Sequence, residues 1–240
     1  MFLHQQVIGH RGASAYAPEN TFAAFEKAKA LGCQMIEFDV MLSADGDALV
    51  FHDDTLNRTT NGRGVFAQYD AAYLTSLDAG RWFSRKFSGE KIPTLAEVLV
   101  WLQVADMTAN IEIKPCPGFM EETTVAVLTQ LSQHWSPDKA LPLVSSFDHD
   151  ALKLCRSIAP EMPLGVLFDK WQENWLLIAT ELAAYSVHAN RRCLTKARVA
   201  EIQQNGYKVC AYTVNRKRQA MKLFDWGVDA IFSDYPDLLL

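Results

Sequence analysis

Two short stretches of this sequence put acids where a strand would normally be apolar. In Met35–Val40, Ile36, Phe38 and Val40 alternate with Glu37 and Asp39; in Ala109–Lys114, Ile111 and Ile113 alternate with Glu112 and Lys114. Residues two apart on a strand share a face, so each stretch carries one apolar and one charged side. Strands covered on both faces usually read as unbroken apolar runs. Carboxylates on an inward face are costly unless they pair with cations or ligate a metal. A salt-bridge network joining Glu37, Asp39, Glu112 and Lys114 is the bland solution. The presence of the pattern on two strands, with a histidine aligned to one of them, favours a metal site. An all-oxygen set of Glu37, Asp39 and Glu112 suits one hard divalent cation, Mg²⁺ or Ca²⁺, with water completing its shell.

The aligned histidine comes from a hairpin. Asp45-Gly46 between Met35–Val40 and Leu49–His52 is a strong two-residue turn signal. That turn pairs Ala44 with Asp47, Ser43 with Ala48 and finally Asp39 with His52, and directly opposed residues point to the same face. A bulge would shift the pairing by one. His10 closes the first strand candidate and is followed by Arg11, whose guanidinium can grip a phosphate bidentately. Two histidines, a carboxylate metal site, an arginine and a lysine form a set suited to phosphodiester cleavage. The cations stabilise the extra negative charge of the transition state. One histidine takes a proton from the nucleophile while the other gives one to the leaving oxygen. His4, His134, His149 and His188 lack such company and are read as structural.

The elements that must position these groups alternate in type. Strand candidates are Val7–His10, Met35–Val40, Leu49–His52, Ala109–Lys114, Leu143–Phe147, Gly165–Phe168, Tyr185–Ala189, Val209–Val214 and Ala230–Ser233. Phe22, Phe25, Ala28 and Leu31 form one helical face that stops at Gly32. Thr94-Leu95-Ala96-Glu97 is a capping box, Asp148, Thr195 and Asn215 are N-cap candidates, and Gly206 and Gly227 sit where helices end. The connection from the second strand to the third is too short for a parallel crossover. Setting the third aside as a hairpin arm leaves eight strands, each feeding a helix: an α/β fold of the (β/α)8 TIM-type barrel class. From Asp53 to Pro93 the alternation lapses into glycines, polar turns and the aromatics Phe66, Tyr69, Tyr73, Trp82, Phe83 and Phe87. This reads as a small insertion after the second barrel strand, packed over the mouth. The expectation is one domain over 1–240, with hairpin and insertion at about 41–93.

Composition narrows the class further. The chain has 240 residues, 49% of them hydrophobic and 21% charged, enough to bury a large core. A formal net charge of −5 and scattered basic residues give no reason to expect a nucleic-acid partner or an anionic membrane. The stretch Met1–Gly9 lacks the features of a secretion signal, and no segment approaches a membrane span, so no stable membrane anchor is expected. Cys33, Cys116, Cys155, Cys193 and Cys210 are odd in number and widely spaced, which fits reduced thiols in the cytoplasm.

Seven motifs occur in order along the chain: His10-Arg11-Gly12, Pro18-Glu19-Asn20-Thr21, Glu37-x-Asp39, His52-Asp53, Glu112-Ile113-Lys114, Thr213-Val214-Asn215 and Ser233-Asp234-Tyr235-Pro236-Asp237. Together they resemble the glycerophosphodiester phosphodiesterase family, most closely its short cytoplasmic bacterial enzymes, across essentially the whole sequence. The resemblance implies a β/α barrel with a small insertion, His10 and His52 as acid/base pair, and Glu37, Asp39 and Glu112 as metal ligands. It places Arg11 and Lys114 on the phosphate. Tyr212 stands where the family usually has tryptophan, which keeps an aromatic wall for the substrate but changes its shape. Pro18-Glu19-Asn20-Thr21 also has a purely structural reading, as a proline and capping residues at a helix start.

The implied reaction takes small glycerophosphodiesters, such as glycerophosphocholine or glycerophosphoethanolamine, to glycerol 3-phosphate and an alcohol. Attack by the glycerol's neighbouring hydroxyl and attack by water both remain open, as does the oligomeric state. One rival is a related barrel phosphodiesterase acting on intact phospholipids, for which the aromatics of Asp53–Pro93 would form a membrane-facing rim. The other is a catalytically silent glycerophosphodiester-binding protein, which the full set of histidines and carboxylates disfavours.

Overall fold

The computed structural model describes residues 6–239; His4 lies outside them. Among the described residues nine strands form one sheet. They are β1 (Gln6–His10), β2 (Met35–Leu42), β3 (Ala48–Val50), β4 (Thr108–Ile113), β5 (Leu143–Ser146), β6 (Leu164–Phe168), β7 (Ser186–Asn190), β8 (Lys208–Tyr212) and β9 (Ala230–Ser233). Their order is β1-β9-β8-β7-β6-β5-β4-β2-β3, and a further β1–β2 pairing closes the circle. All the barrel pairings are parallel. Only β3 is antiparallel, on β2. The result is a closed eight-stranded parallel barrel with one hairpin arm outside it, as the segment order predicts.

Helices follow the staves. They include α1 (Phe22–Ala30), a short α2 (Ala71–Ser76), α3 (Leu95–Ala105), α4 (Met120–His134) and α5 (His149–Ile158). The circuit ends with α6 (Trp175–Glu181), α7 (Lys196–Gln204) and α8 (Lys217–Asp225). The Thr94 capping box is formed at α3, and Asp148 and Thr195 cap α5 and α7. Asn215 does not cap α8: Arg216 stands at that position without a side-chain bond, and Asn215 turns to Asp234 instead. Between barrel and helices lies one large apolar cluster, with Phe25, Phe38, Ile111, Val166 and Trp175 wholly or almost wholly buried. Inside the barrel Ile8, Met35, Leu143, Cys210, Ala230 and Phe232 form a separate plug. His188 sits in that interior, fully buried, with Nε2 2.8 Å from Ser186 Oγ. Burial drives its pKa down to about 3. Gly165 makes the room, since a Cβ there would stand 2.6 Å from the imidazole.

The hairpin departs from its predicted register. Ser43 N donates to Asp47 O at 2.9 Å and Gly46 N to Ser43 O at 3.1 Å, with Gly46 at φ +93°. The loop therefore holds three residues, Ala44-Asp45-Gly46, the last in the left-handed conformation that glycine permits. Val40 pairs with Val50, Met41 with Leu49 and Leu42 with Ala48. Opposite Asp39 stands Phe51, whose N–H donates to Asp39 O at 3.1 Å, and not His52. The ladder ends at Val50, and His52 reaches the mouth from the extended chain beyond it.

The following segment has its own core. Phe51, Leu56, Phe66, Leu74, Leu77 and Ile92 pack with Met41 and Leu49 of the hairpin, and Phe51 stacks on Phe66 at 4.9 Å. None of the described helices is long and apolar enough to cross a membrane.

Candidate active site

Strand register brings the predicted groups to one end of the barrel. His10 pairs with Glu37, Glu37 with Asn110, and Asp39 with Glu112. These neighbours stand at the C-terminal mouth, where a β/α barrel presents its functional groups. His10, Arg11, Glu37, Asp39, His52, Glu112, Lys114 and Tyr212 all line a single cleft of about 340 Å³. Lys114 follows the last residue of β4, anchored by its N–H to Val40 O at 3.0 Å.

Glu37, Asp39 and Glu112 each offer an oxygen, and these atoms lie within 4.8 Å of one another. Glu37 and Asp39 are buried. Burial, reinforced by Asp39 and Glu112, raises the Glu37 pKa well above the ordinary range. Burial and Asp39 push Glu112 up to about 8. Asp39 is lowered, because Arg11, His52 and Lys114 outweigh its burial. The cluster thus carries more carboxylate than its neighbouring cations can keep ionised. A divalent cation would relieve that imbalance, and an all-oxygen triad fits one.

Arg11 is fastened beside the triad. Its backbone N–H donates to Glu37 Oε2 at 2.8 Å, Nη1 donates to Glu19 Oε1 at 2.7 Å, and Nε lies 3.3 Å from Asp39 Oδ2. Burial would lower the guanidinium pKa, but Asp39, Glu19 and Glu37 raise it on balance. The turn that presents it relies on Gly12, at φ +85°, where a Cβ would stand 2.7 Å from the Ala24 backbone. The next motif combines two jobs: Thr21 caps α1, while Asn20 donates to Asp39 Oδ2 at 3.0 Å.

Each histidine is held at Nδ1 by an aspartate. His10 Nδ1 lies 2.6 Å from Asp234 Oδ1, and His52 Nδ1 lies 2.6 Å from Asp53 Oδ1. Asp234 also accepts from Ser14 Oγ at 3.0 Å and from the Asn215 amide. These bonds outweigh burial and keep Asp234 below the usual carboxylate range. Arg58 does the same for Asp53. Ionised aspartates put the proton on Nδ1 and leave Nε2 as the nitrogen available to the cleft. Burial lowers the His52 pKa despite the opposing pull of Asp39.

The far wall is apolar. Tyr212 meets Phe147 edge-to-face at 5.8 Å, beside Leu167 and Phe232. The Tyr212 hydroxyl is buried, and burial raises its pKa. Phe147, Asp53, Glu19, Asn20, Asn215 and Asp234 join the site without being marked by residue type or spacing. All but Phe147 lie inside the seven motifs, yet nothing local marks what they touch. His149 packs on Phe168 and His134 ends α4, and neither lines the cleft.

Comparison with known proteins agrees with this geometry. The chain is 37% identical to a glycerophosphodiester phosphodiesterase of Caldanaerobacter subterraneus subsp. tengcongensis, over 98% of this chain and 96% of that one. A glycerophosphodiester phosphodiesterase of Bacillus subtilis is 34% identical, over 96% and 84% of the two chains. Among solved structures, an Oleispira antarctica phosphodiesterase in complex with the product sn-glycerol-3-phosphate superposes with a TM-score of 0.94. It is 40% identical, over 97% of this chain and 94% of that one. The profile of the glycerophosphoryl diester phosphodiesterase family matches residues 10–238, and with a closed β/α barrel and these relatives the chain belongs to that family.

Proposed function

We propose that this chain hydrolyses small glycerophosphodiesters, glycerophosphocholine and glycerophosphoethanolamine among them, to glycerol 3-phosphate and a free alcohol. His10 and His52 serve as the proton-transfer pair, Glu37, Asp39 and Glu112 as ligands of one Mg²⁺ or Ca²⁺, and Arg11 and Lys114 as phosphate contacts. Tyr212 forms part of the wall against which the substrate packs. The observation that carries this reading is one cleft lined by a carboxylate triad, two of its members buried, and by two histidines, each fixed at Nδ1 by an aspartate. The Oleispira antarctica relative, held with sn-glycerol-3-phosphate, supports the choice of product.

When bound, the cation supplies positive charge for the phosphate oxygens as negative charge grows on them. The residues do the rest. Arg11 keeps donors beyond those facing Glu19 and Asp39, since a guanidinium has about five N–H groups, and with Lys114 it holds the phosphate against the triad. One histidine accepts a proton at Nε2 from the attacking hydroxyl and the other protonates the departing alcohol oxygen. Attack by water gives glycerol 3-phosphate directly, whereas attack by the glycerol's own hydroxyl gives a cyclic phosphate that water then opens. The barrel, hairpin and insertion act as one catalytic unit over 1–240. Cysteines that are all free fit a reducing cytoplasm. Of the insertion's aromatics Phe66 is buried in the insertion's own core while Tyr73 and Trp82 are exposed, so the choice between water-soluble diesters and a lipid surface rests on the vesicle arm of the assay below.

Glycerol 3-phosphate release from several diesters, assayed in chelator and after Mg²⁺ or Ca²⁺ is restored, tests the proposal. Loss and recovery of turnover are expected, with vesicle phospholipid left uncut. Full turnover by protein shown to be metal-free would overturn the metal assignment, and no turnover under any condition would favour a binding protein.

A further inference from the structure

Arg58, in the insertion, grips two carboxylates at once. Nη1 and Nη2 donate to Glu19 Oε2 and Oε1, each at 2.7 Å. Nε and Nη2 donate to Asp53 Oδ2 and Oδ1, at 2.6 and 2.8 Å. Glu19 is also the partner of Arg11, and Asp53 is the partner of His52. An unbroken chain of charge-assisted hydrogen bonds therefore runs Arg11–Glu19–Arg58–Asp53–His52. The Trp82 ring backs the guanidinium, its centroid 5.9 Å from Cζ.

We infer that Arg58 is a positioning residue for the reaction, setting the orientation of His52 through Asp53 while bracing Glu19 behind Arg11. This rests on the roles proposed above for His52 and Arg11. The side chain of Arg58 is 45% exposed, and exposed ion pairs contribute little to stability. The arrangement therefore points to geometry as its use. A planar fork can serve two carboxylates bidentately, whereas a lysine ammonium is a point charge that cannot. Without Arg58, Asp53 keeps its bond to His52 but loses the contacts that fix the carboxylate itself. Arg11 keeps Glu19 and Asp39, so phosphate binding should suffer less than proton transfer.

The test compares Arg58→Ala and Arg58→Lys with the parent, using glycerophosphocholine and the restoring cation, and with His52→Ala and Arg11→Ala as references. Arg58→Ala should lower kcat by about 10²-fold, the scale of an ångström-level misplacement, with KM and melting temperature little changed. Arg58→Lys should recover little, and millimolar guanidinium should restore Arg58→Ala saturably. If Arg58→Ala folds poorly, Arg58→Gln should show the same loss of kcat at unchanged KM, judged without the guanidinium arm because its side chain fills the space. Parental kcat in Arg58→Ala, parental kcat in Arg58→Lys, or a loss that guanidinium does not rescue would each overturn the inference. If His52→Ala and Arg11→Ala are themselves fully active, the underlying catalytic reading has failed instead.

Discussion

The two histidines of the cleft are supported by different parts of the molecule. On the His10 side everything belongs to the barrel. Asp234 follows β9, Asn215 follows β8, and β9 lies beside both β1 and β8 in the closed sheet. On the His52 side the ladder has already ended at Val50, and Asp53 is held by a half-exposed arginine of the insertion. Backbone ladders thus place one half of the site, and side-chain ion pairs the other. Ladders spread their stability over many residues, whereas exposed pairs depend on few groups and weaken in salt. The insertion half should therefore be easier to disturb without unfolding the protein.

The largest effects should be shared by both halves. His10→Ala and His52→Ala should each lower kcat by about 10²–10⁴-fold, with melting curves close to the parent. A melting temperature that collapses in either variant would return that histidine to a structural role and break the symmetry of the pair. The aspartates should then separate the halves. Asp234→Asn leaves His10, Ser14 and the Asn215 amide facing a neutral group in a part-buried site, and unfolding in denaturant should show a loss of about 1–3 kcal/mol. Asp53→Asn should cost under about 1 kcal/mol while still lowering kcat. Equal stability losses in the two variants would sink the comparison.

A pH-dependent effect concerns the triad between the halves. In chelated protein Glu112 is raised from the ordinary 4.5 to about 8 by burial and Asp39, so its neutral form is the one that folding favours. Its stabilising contribution is complete below the ordinary value and is lost as pH rises from about 4.5 to about 8. The melting temperature of the chelated parent should therefore fall relative to Glu112→Gln across that window, and Mg²⁺ should flatten the parent's curve. Parallel curves would show that Glu112 is not held neutral. The smallest effect should lie at the aromatic wall. Phe147 and Tyr212 offer an edge-to-face pair and not a box of converging rings. Glycerophosphocholine, glycerophosphoethanolamine and glycerophosphoglycerol should then differ in kcat/KM by less than about tenfold, or roughly 1.4 kcal/mol. A preference of several hundredfold would mean that the wall or the insertion reads the headgroup.

Much of this was legible in the chain itself. Period-two alternation marks Glu37, Asp39, Glu112 and Lys114 as sharing an inner face, because strand pleating alone dictates it. Alternating elements, together with one connection too short for a crossover, lead to eight staves and a hairpin arm. Local chemistry also marks the capping box at Thr94 and the glycines that end helices. The hairpin register was not legible to within one residue: a three-residue loop with left-handed Gly46 replaces the two-residue turn, so Phe51 and not His52 faces Asp39. Nor was Asn215's choice of Asp234 over a helix cap, or the use of Glu19 to join Arg11 to Arg58. Partners such as His10 and Asp234, 224 residues apart, or Glu19 and Arg58, 39 apart, meet only after the barrel closes and the insertion packs. Alternation and caps follow from backbone geometry that each short segment carries with it. Which carboxylate steadies which histidine follows from closure and packing, and those belong to the whole chain.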